Sequence, residues 1–274
     1  MREHKVVDAN DDRILDFVGL NDHKLRQIRE RPDGDMASFF IGEGVQVVNR
    51  ALEAKHHLVS LVMSENFNLS KFIELPDGTE ILRCSPLVLK AISGRPDLKD
   101  PIALFLRPPI PDFKTTIKQS NIVLLTENVQ NPTNMGMIMR NAAAFGIDAV
   151  CVDATSCDPY YRRAVRVSMG QVFATPHVRI DSVLDAIAYL HRIGYVTVAL
   201  TPKIDSKKLS LALQGIKGPI AFIAGSEGMG LTAEVLDSAS VKARIPMQAN
   251  VDSLNVATAV AIALYAVNDL KESI

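Results

Sequence analysis

Short apolar runs alternate with helical stripes along almost the whole chain, and the alternation is clearly interrupted once. Ser38-Phe39-Phe40-Ile41 reads as a short buried strand. It is followed by Glu43 to Ala54, where Val45, Val47, Val48, Ala51 and Leu52 form a helical stripe. Leu58 to Met63, Glu80 to Arg83 and Ile102 to Leu106 read again as strands, and Pro86 can open a helix reaching about Ile92. The interruption falls near residues 107–120, RPPIPDFKTTIKQS, where Pro108, Pro109 and Pro111 can continue neither a helix nor a central strand. Two domains are therefore expected, 1–108 and 121–274, joined by a linker over 109–120.

Beyond the linker, strands are expected at Ile122–Leu125, Ala149–Val152, Tyr195–Leu200, Ile220–Ala224 and Val241–Ile245. Helices are expected at Met135–Phe145, Tyr160–Ser168, Ser182–Arg192, Thr232–Asp237 and Ser253–Leu270. Such alternation predicts an α/β fold, a mostly parallel sheet covered on both faces with ligand loops at the carboxyl ends of its strands. The front region predicts a second, smaller α/β domain.

Composition narrows the function classes. Of 274 residues, 47% are hydrophobic and 22% charged, which suits a globular chain. A formal net charge of −1 gives no bulk attraction to nucleic acid, so any RNA contact must come from local basic clusters. Two clusters qualify: Lys24, Arg26, Arg29 and Arg31, and then Arg162, Arg163 and Arg166. Each reads either as a solvated helix face or as a phosphate contact. The N-terminus MREHKVVDANDDR lacks the apolar core of a signal peptide, and the apolar stretch Val256 to Val267 is too short to span a bilayer. Cys84, Cys151 and Cys157 show no paired spacing and fit a reducing, cytoplasmic setting, with Cys151 a buried small hydrophobe. The histidines show no metal-ligand spacing, so neither a metal nor a membrane partner is expected.

Three loops carry candidate chemistry. In ENVQNPTNMGMIMRN, Asn131-Pro132 ends a strand, and Thr133 or Asn134 can cap the following helix. Arg140 lies further along that helix, placed with Asn134 to line one cleft, and otherwise readable as a structural ion pair. In IAFIAGSEGMGLT a buried strand enters a glycine-rich turn that matches neither GxGxxG nor a P-loop. Glu227 within it argues against a phosphate cradle and suits a ligand with a cationic centre or hydroxyl donors. In ARIPMQANVDSLNVA a strand ends at Pro246, and Asp252 or Ser253 can cap a long helix that is apolar nearly all round. Asn255, a poor helix former in its first turn, has an amide free to reach a ligand.

Individually these loops are weak signals, but in this order NPTNMGMIMRNAAAFG, FIAGSEGMGLT and IPMQANVDSLNVATAVAIALY closely resemble the three motifs of the SpoU/TrmH family of RNA ribose 2′-O-methyltransferases. The resemblance covers about residues 120–270. The stretch FFIGEGVQVVNRALEAKHHLVSLVMSEN resembles the ribosomal-protein-like substrate-binding domain often fused to these enzymes. The two-domain layout is also similar to that of the thiostrepton-resistance ribosomal RNA methyltransferases. The resemblance implies S-adenosyl-L-methionine as cofactor, structured ribosomal or transfer RNA as substrate, and a homodimer built around a deep trefoil knot. It places Asn134, Arg140, Glu227, Ser253 and Asn255 on the family's polar active-site positions. Gly225, Ile245 and Leu254 fall where backbone holds the cofactor's adenosine. Two departures stand out: Ala257 where many relatives carry serine, and Ala249-Asn250 in place of a common glycine. Neither touches the five polar positions, so an altered cofactor affinity is expected rather than lost activity.

The family proposal makes the matching arginine, Arg140, the base that takes the ribose proton. A guanidinium is a poor base in principle, so the alternative is a phosphate clamp that stabilises the forming alkoxide. Two other classes compete: a non-catalytic RNA-binding protein that keeps the fold, and a knotted methyltransferase acting on a base. The intact polar positions argue against the first, and the GSEG and SLNV motifs against the second.

Overall fold

The computed structural model describes residues 1–18, 25–30, 33–93, 100–248 and 250–272, with backbone alone at 26, 27 and 270–272. In chain order the front half holds strands β1 (Arg2–Val6), β2 (Phe39–Glu43), β3 (Leu58–Ser64), β4 (Glu80–Cys84) and β5 (Ile102–Leu106). Its α-helices among the described residues are α1 (Val45–Glu53) and α2 (Pro86–Ser93). The second half runs α3 (Phe113–Lys118), β6 (Ile122–Glu127), α4 (Pro132–Ala144), β7 (Ala149–Asp153), α5 (Arg162–Val167), β8 (His177–Ile180) and α6 (Val183–Arg192). It continues through β9 (Val196–Leu200), β10 (Lys207–Lys208), α7 (Leu209–Leu213), β11 (Ile220–Gly225), α8 (Ala233–Ser238), β12 (Val241–Arg244) and α9 (Val256–Glu272). Among the described residues no helix is long and apolar enough to cross a membrane.

The chain divides into two compact units, Met1–Pro109 with Tyr160–Phe173, and Ile110–Pro159 with Ala174–Ile274. The first holds a mixed sheet in the order β1-β4-β3-β5-β2. Neighbouring residues of a strand face opposite ways, and Phe40 and Ile41 are both fully buried, so this sheet is covered on both faces. Ile41 packs with Val62, Leu82, Val88 and Leu104. Phe40 stacks on Phe105 at 5.1 Å and meets Tyr160 and Phe173 edge-on or tilted, so one cover arrives from a segment far along the sequence. His56 joins this aromatic group, and burial holds its imidazole below the usual range.

The second unit is a seven-stranded sheet in the order β10-β12-β9-β11-β6-β7-β8, with every pairing parallel. Its central strands β6, β7 and β11 are buried nearly throughout, as expected of strands with helices on both faces. One face packs Val123, Leu125, Cys151 and Ile223 against Ile187, Leu190, Val235 and Ile117. α4 and α9 pack against each other, with Ile138, Met139, Val260, Ala263 and Leu264 fully buried. Two amides fasten that pair: Asn141 Nδ2 donates to the Ala257 carbonyl at 2.8 Å, and Asn268 Nδ2 to the Phe145 carbonyl at 2.7 Å.

Three expectations need correction. The segment 109–120 is not a bare linker, because Asp112 caps α3 by accepting from the Thr115 amide at 2.8 Å. Ile117 is then buried in the second unit's core, and the Tyr195 hydroxyl donates to the Ile117 and Ser120 carbonyls. The helix expected over Tyr160–Ser168 exists but sorts with the first unit. Strands β1, β8 and β10 were not expected, being too short or too charged to show a pattern.

The basic clusters also change meaning. Arg162 is 9% exposed, its guanidinium bonds Glu43 at 2.5 Å, and its backbone amide donates to Glu30 at 2.9 Å. It is therefore a buried structural partner of a carboxylate and not a phosphate contact. Arg29 is tied to Asp35 at 2.9 Å and to the Asp16 and Val18 carbonyls, so it too holds its own unit together. Arg163 and Arg166 are exposed, although Arg166 also reaches Glu43 at 3.2 Å. Lys24 and Arg31 lie outside the described residues, as does the side chain of Arg26.

Candidate active site

α4 starts where β6 stops, and the residue that caps it is Asn131. Its side-chain oxygen accepts from the Thr133 amide at 2.9 Å, with Pro132 in the first helical turn. Thr133 and Asn134, the expected caps, lie inside the helix. Because Asn131 satisfies the helix start, the Asn134 side chain is available for longer-range bonds. It is 3% exposed, and its Nδ2 donates to Oε1 of Glu227, which comes from the glycine-rich turn.

Asn255 completes the group. α9 begins at Val256 rather than at Ser253, and Asn255 caps it: its Oδ1 accepts from the Ala257 and Thr258 amides at 2.9 and 3.3 Å. An oxygen that accepts from backbone amides leaves the nitrogen as the outward donor, which settles the orientation of the side chain. That Nδ2 donates to Glu227 Oε1 at 2.7 Å and to Asn134 Oδ1 at 3.0 Å. Two amides thus converge on one carboxylate oxygen, and three loops distant in sequence meet at a single atom. Among the described residues Oε2 of Glu227 takes no hydrogen bond, so it remains available to a ligand.

The turn carrying Glu227 admits little variation. A Cβ added to Gly225 would sit 2.5 Å from the carbonyl carbon of Gly230, so only glycine fits. Gly230 has a left-handed φ of 70° and donates its amide to the Ser226 carbonyl at 3.1 Å. The turn lines a cavity of about 320 Å³ at the carboxyl ends of β9, β11 and β12, where ligands sit in parallel α/β sheets. Gly225, Ile245 and Leu254 all line it, together with Glu227 and Ser253. Leu200, Leu236 and Val256 supply apolar wall. Thr201, Pro202 and Lys203 line it too; no motif marks them, and the only signal was their place just after a parallel strand.

Asn134 and Asn255 touch this cavity only through Glu227. Arg140 does not line it, and the expectation that it shares one cleft with Asn134 fails on helical geometry. Six residues at about 100° each leave the two about 120° apart around the axis. Asn134 turns inward, and Arg140 is exposed, its side chain making no ion pair or hydrogen bond among the described residues. Glu127 was also missed. It ends β6, and its carboxylate accepts from the amide and hydroxyl of Thr232 at 2.9 and 2.8 Å.

Residues 121–265 match the SpoU rRNA Methylase family. Over 267 residues the chain is 35% identical to a protein of Mycobacterium bovis named "uncharacterized tRNA/rRNA methyltransferase", covering 95% of this chain and 90% of that one. It is 28% identical over 233 residues to the 23S rRNA (guanosine-2′-O-)-methyltransferase RlmB of Acinetobacter baylyi, covering 81% and 94% respectively. Its fold matches the AdoMet-bound rRNA methyltransferase of Sinorhizobium meliloti with a TM-score of 0.79 over 98% of both chains, at 24% identity. This chain belongs to the SpoU rRNA methylase family.

Proposed function

We propose that the chain transfers a methyl group from S-adenosyl-L-methionine to a ribose 2′-hydroxyl in structured ribosomal or transfer RNA. The observation that carries this reading is the convergence of Asn134 and Asn255 on Glu227, at the wall of a cavity lined by Gly225, Ile245, Leu254 and Ser253. The residues fit the cofactor. A volume of about 320 Å³ lies within the range of small-molecule pockets. Apolar walls suit an adenine, and the Gly225 backbone allows close approach. The unengaged oxygen of Glu227 suits a sulfonium, an amine or a ribose hydroxyl. Bound there, S-adenosyl-L-methionine supplies a methyl carbon that a ribose oxygen can attack in line as the carbon–sulfur bond breaks.

The protein's own part is alignment and charge. Asn134 and Asn255 hold Glu227 in one rotamer, so the carboxylate needs no reorganisation when the reactants meet. A guanidinium is a poor base in principle, so Arg140 is not given the ribose proton. Arg140 is exposed on α4 outside the cavity, and on this reading it meets the RNA there, holding the phosphate beside the target ribose while water accepts the proton. Arg163 and Arg166 are candidates for further phosphate contacts in the first unit, which on this reading recognises the RNA by shape. A homodimer completes the reading. α9 is apolar nearly all round, yet Ile262 and Tyr265 remain 36% and 59% exposed, and Met137 on α4 is 38% exposed. A second copy would cover them.

Three tests follow from this reading. Mapping of 2′-O-methyl sites in RNA from cells with and without the gene should show one or a few ribose methyl groups that disappear with the gene. Loss of a base methyl group, or of none, would defeat the proposal. Arg140→Ala should abolish transfer yet keep affinity for S-adenosyl-L-methionine within about tenfold, ~1.4 kcal/mol by calorimetry. A mutant that turns over at about a tenth of the normal rate would remove Arg140 from the centre of the mechanism. Sedimentation at low micromolar concentration should show a dimer; a stable, active monomer would contradict the assignment of the exposed apolar face.

A further inference from the structure

Glu127 lies outside the polar positions discussed above, but the geometry gives it a task. It is the last residue of β6 and pairs in register with Gly225, the last residue of β11. Gly225 opens the cofactor turn, and Thr232 closes it by capping α8, its Oγ1 accepting from the Val235 amide at 3.4 Å. Glu127 binds that closing residue at two points: Oε2 accepts from the Thr232 amide at 2.9 Å and Oε1 from the Thr232 hydroxyl at 2.8 Å. The Thr232 hydroxyl therefore donates its one proton to Glu127 and accepts from the Val235 amide at once. Both ends of the turn are tied to one residue of β6, the start through strand pairing and the end through the carboxylate. Between them lie Glu227 and the backbone from Gly225 to Leu231 that lines the cavity.

We infer that Glu127 is a positioning residue that sets the shape of the cofactor turn, and through it the place of Glu227, from the strand that also leads into Asn134. This rests on the reading of the cavity as the S-adenosyl-L-methionine site. Bonds to a carboxylate are roughly twice as strong as neutral ones, so a charged acceptor suits a partly exposed junction. An amide in its place removes the charge and so weakens both contacts, even where its nitrogen turns to donate to the second lone pair of the Thr232 hydroxyl.

The test compares Glu127→Gln, Thr232→Val and the double variant in the full-length protein, measuring S-adenosyl-L-methionine binding by calorimetry together with kcat and KM. Glu127→Gln should raise both Kd and KM for the cofactor about tenfold, with kcat at saturating cofactor within about threefold. Thr232→Val, which keeps the amide and loses the hydroxyl, should raise them about threefold. The double variant should be no worse than Glu127→Gln, because both changes act through one junction. Unchanged cofactor affinity in Glu127→Gln, or strictly additive effects in the double variant, overturns the inference. If Glu127→Gln fails to fold, Thr232→Val alone decides, and an unchanged KM overturns it. Wild-type protein that binds no S-adenosyl-L-methionine would instead defeat the functional reading itself.

Discussion

A single carboxylate oxygen organises this site. Oε1 of Glu227 accepts from Asn134 at the start of α4 and from Asn255 at the start of α9, so the three loops of the second unit meet at one point. The arrangement depends on two helix caps. Asn131 caps α4 and leaves Asn134 unencumbered. Asn255 caps α9 with its oxygen and keeps its nitrogen for Glu227. Without Glu227, Asn134 would be a buried amide with an unmade bond, which costs about 1–3 kcal/mol. The network therefore holds the three loops together whatever ligand the open oxygen of Glu227 takes.

The backbone around it leaves few alternatives. Gly225 presses against Gly230 too closely for any side chain, and the packed pair α4 and α9 is fastened by Asn141 and Asn268. The all-parallel sheet below explains why these loops share one edge, since every strand that leads into them ends on the same side. The two units are not successive along the chain. Tyr160 and Phe173, encoded between β7 and β8, bury against Phe40, and Arg162 pairs with Glu43. A cut near Asp112 would therefore strip these side chains of their cover.

Much of this was legible in the sequence, and the failures have physical causes. Long apolar runs such as Ile220–Gly225 and helical stripes such as Val183–Arg192 announce themselves by period. β8 and β10 are too short to show one, and β1, with the sequence REHKV, is an edge strand whose charged residues hide it. The motif order brought Asn134, Glu227 and Asn255 together correctly, and Gly225, Ile245, Leu254 and Ser253 share the cavity. Arg140 departs because its helical angle sends it elsewhere. Charge composition could not reveal that Arg162 is bonded to a glutamate 119 positions away, nor that Arg29 is committed to Asp35. Long-range pairing leaves no local trace.

The central claim is that Glu227 physically couples three loops rather than serving only its own turn. Amide hydrogen exchange in Glu227→Ala against wild type tests it directly. The account predicts faster exchange at three places together: the turn from Ser226 to Leu231, the first turn of α9 at Ala257 and Thr258, and the start of α4. Faster exchange confined to the glycine-rich turn, with the other two places unchanged, would contradict it.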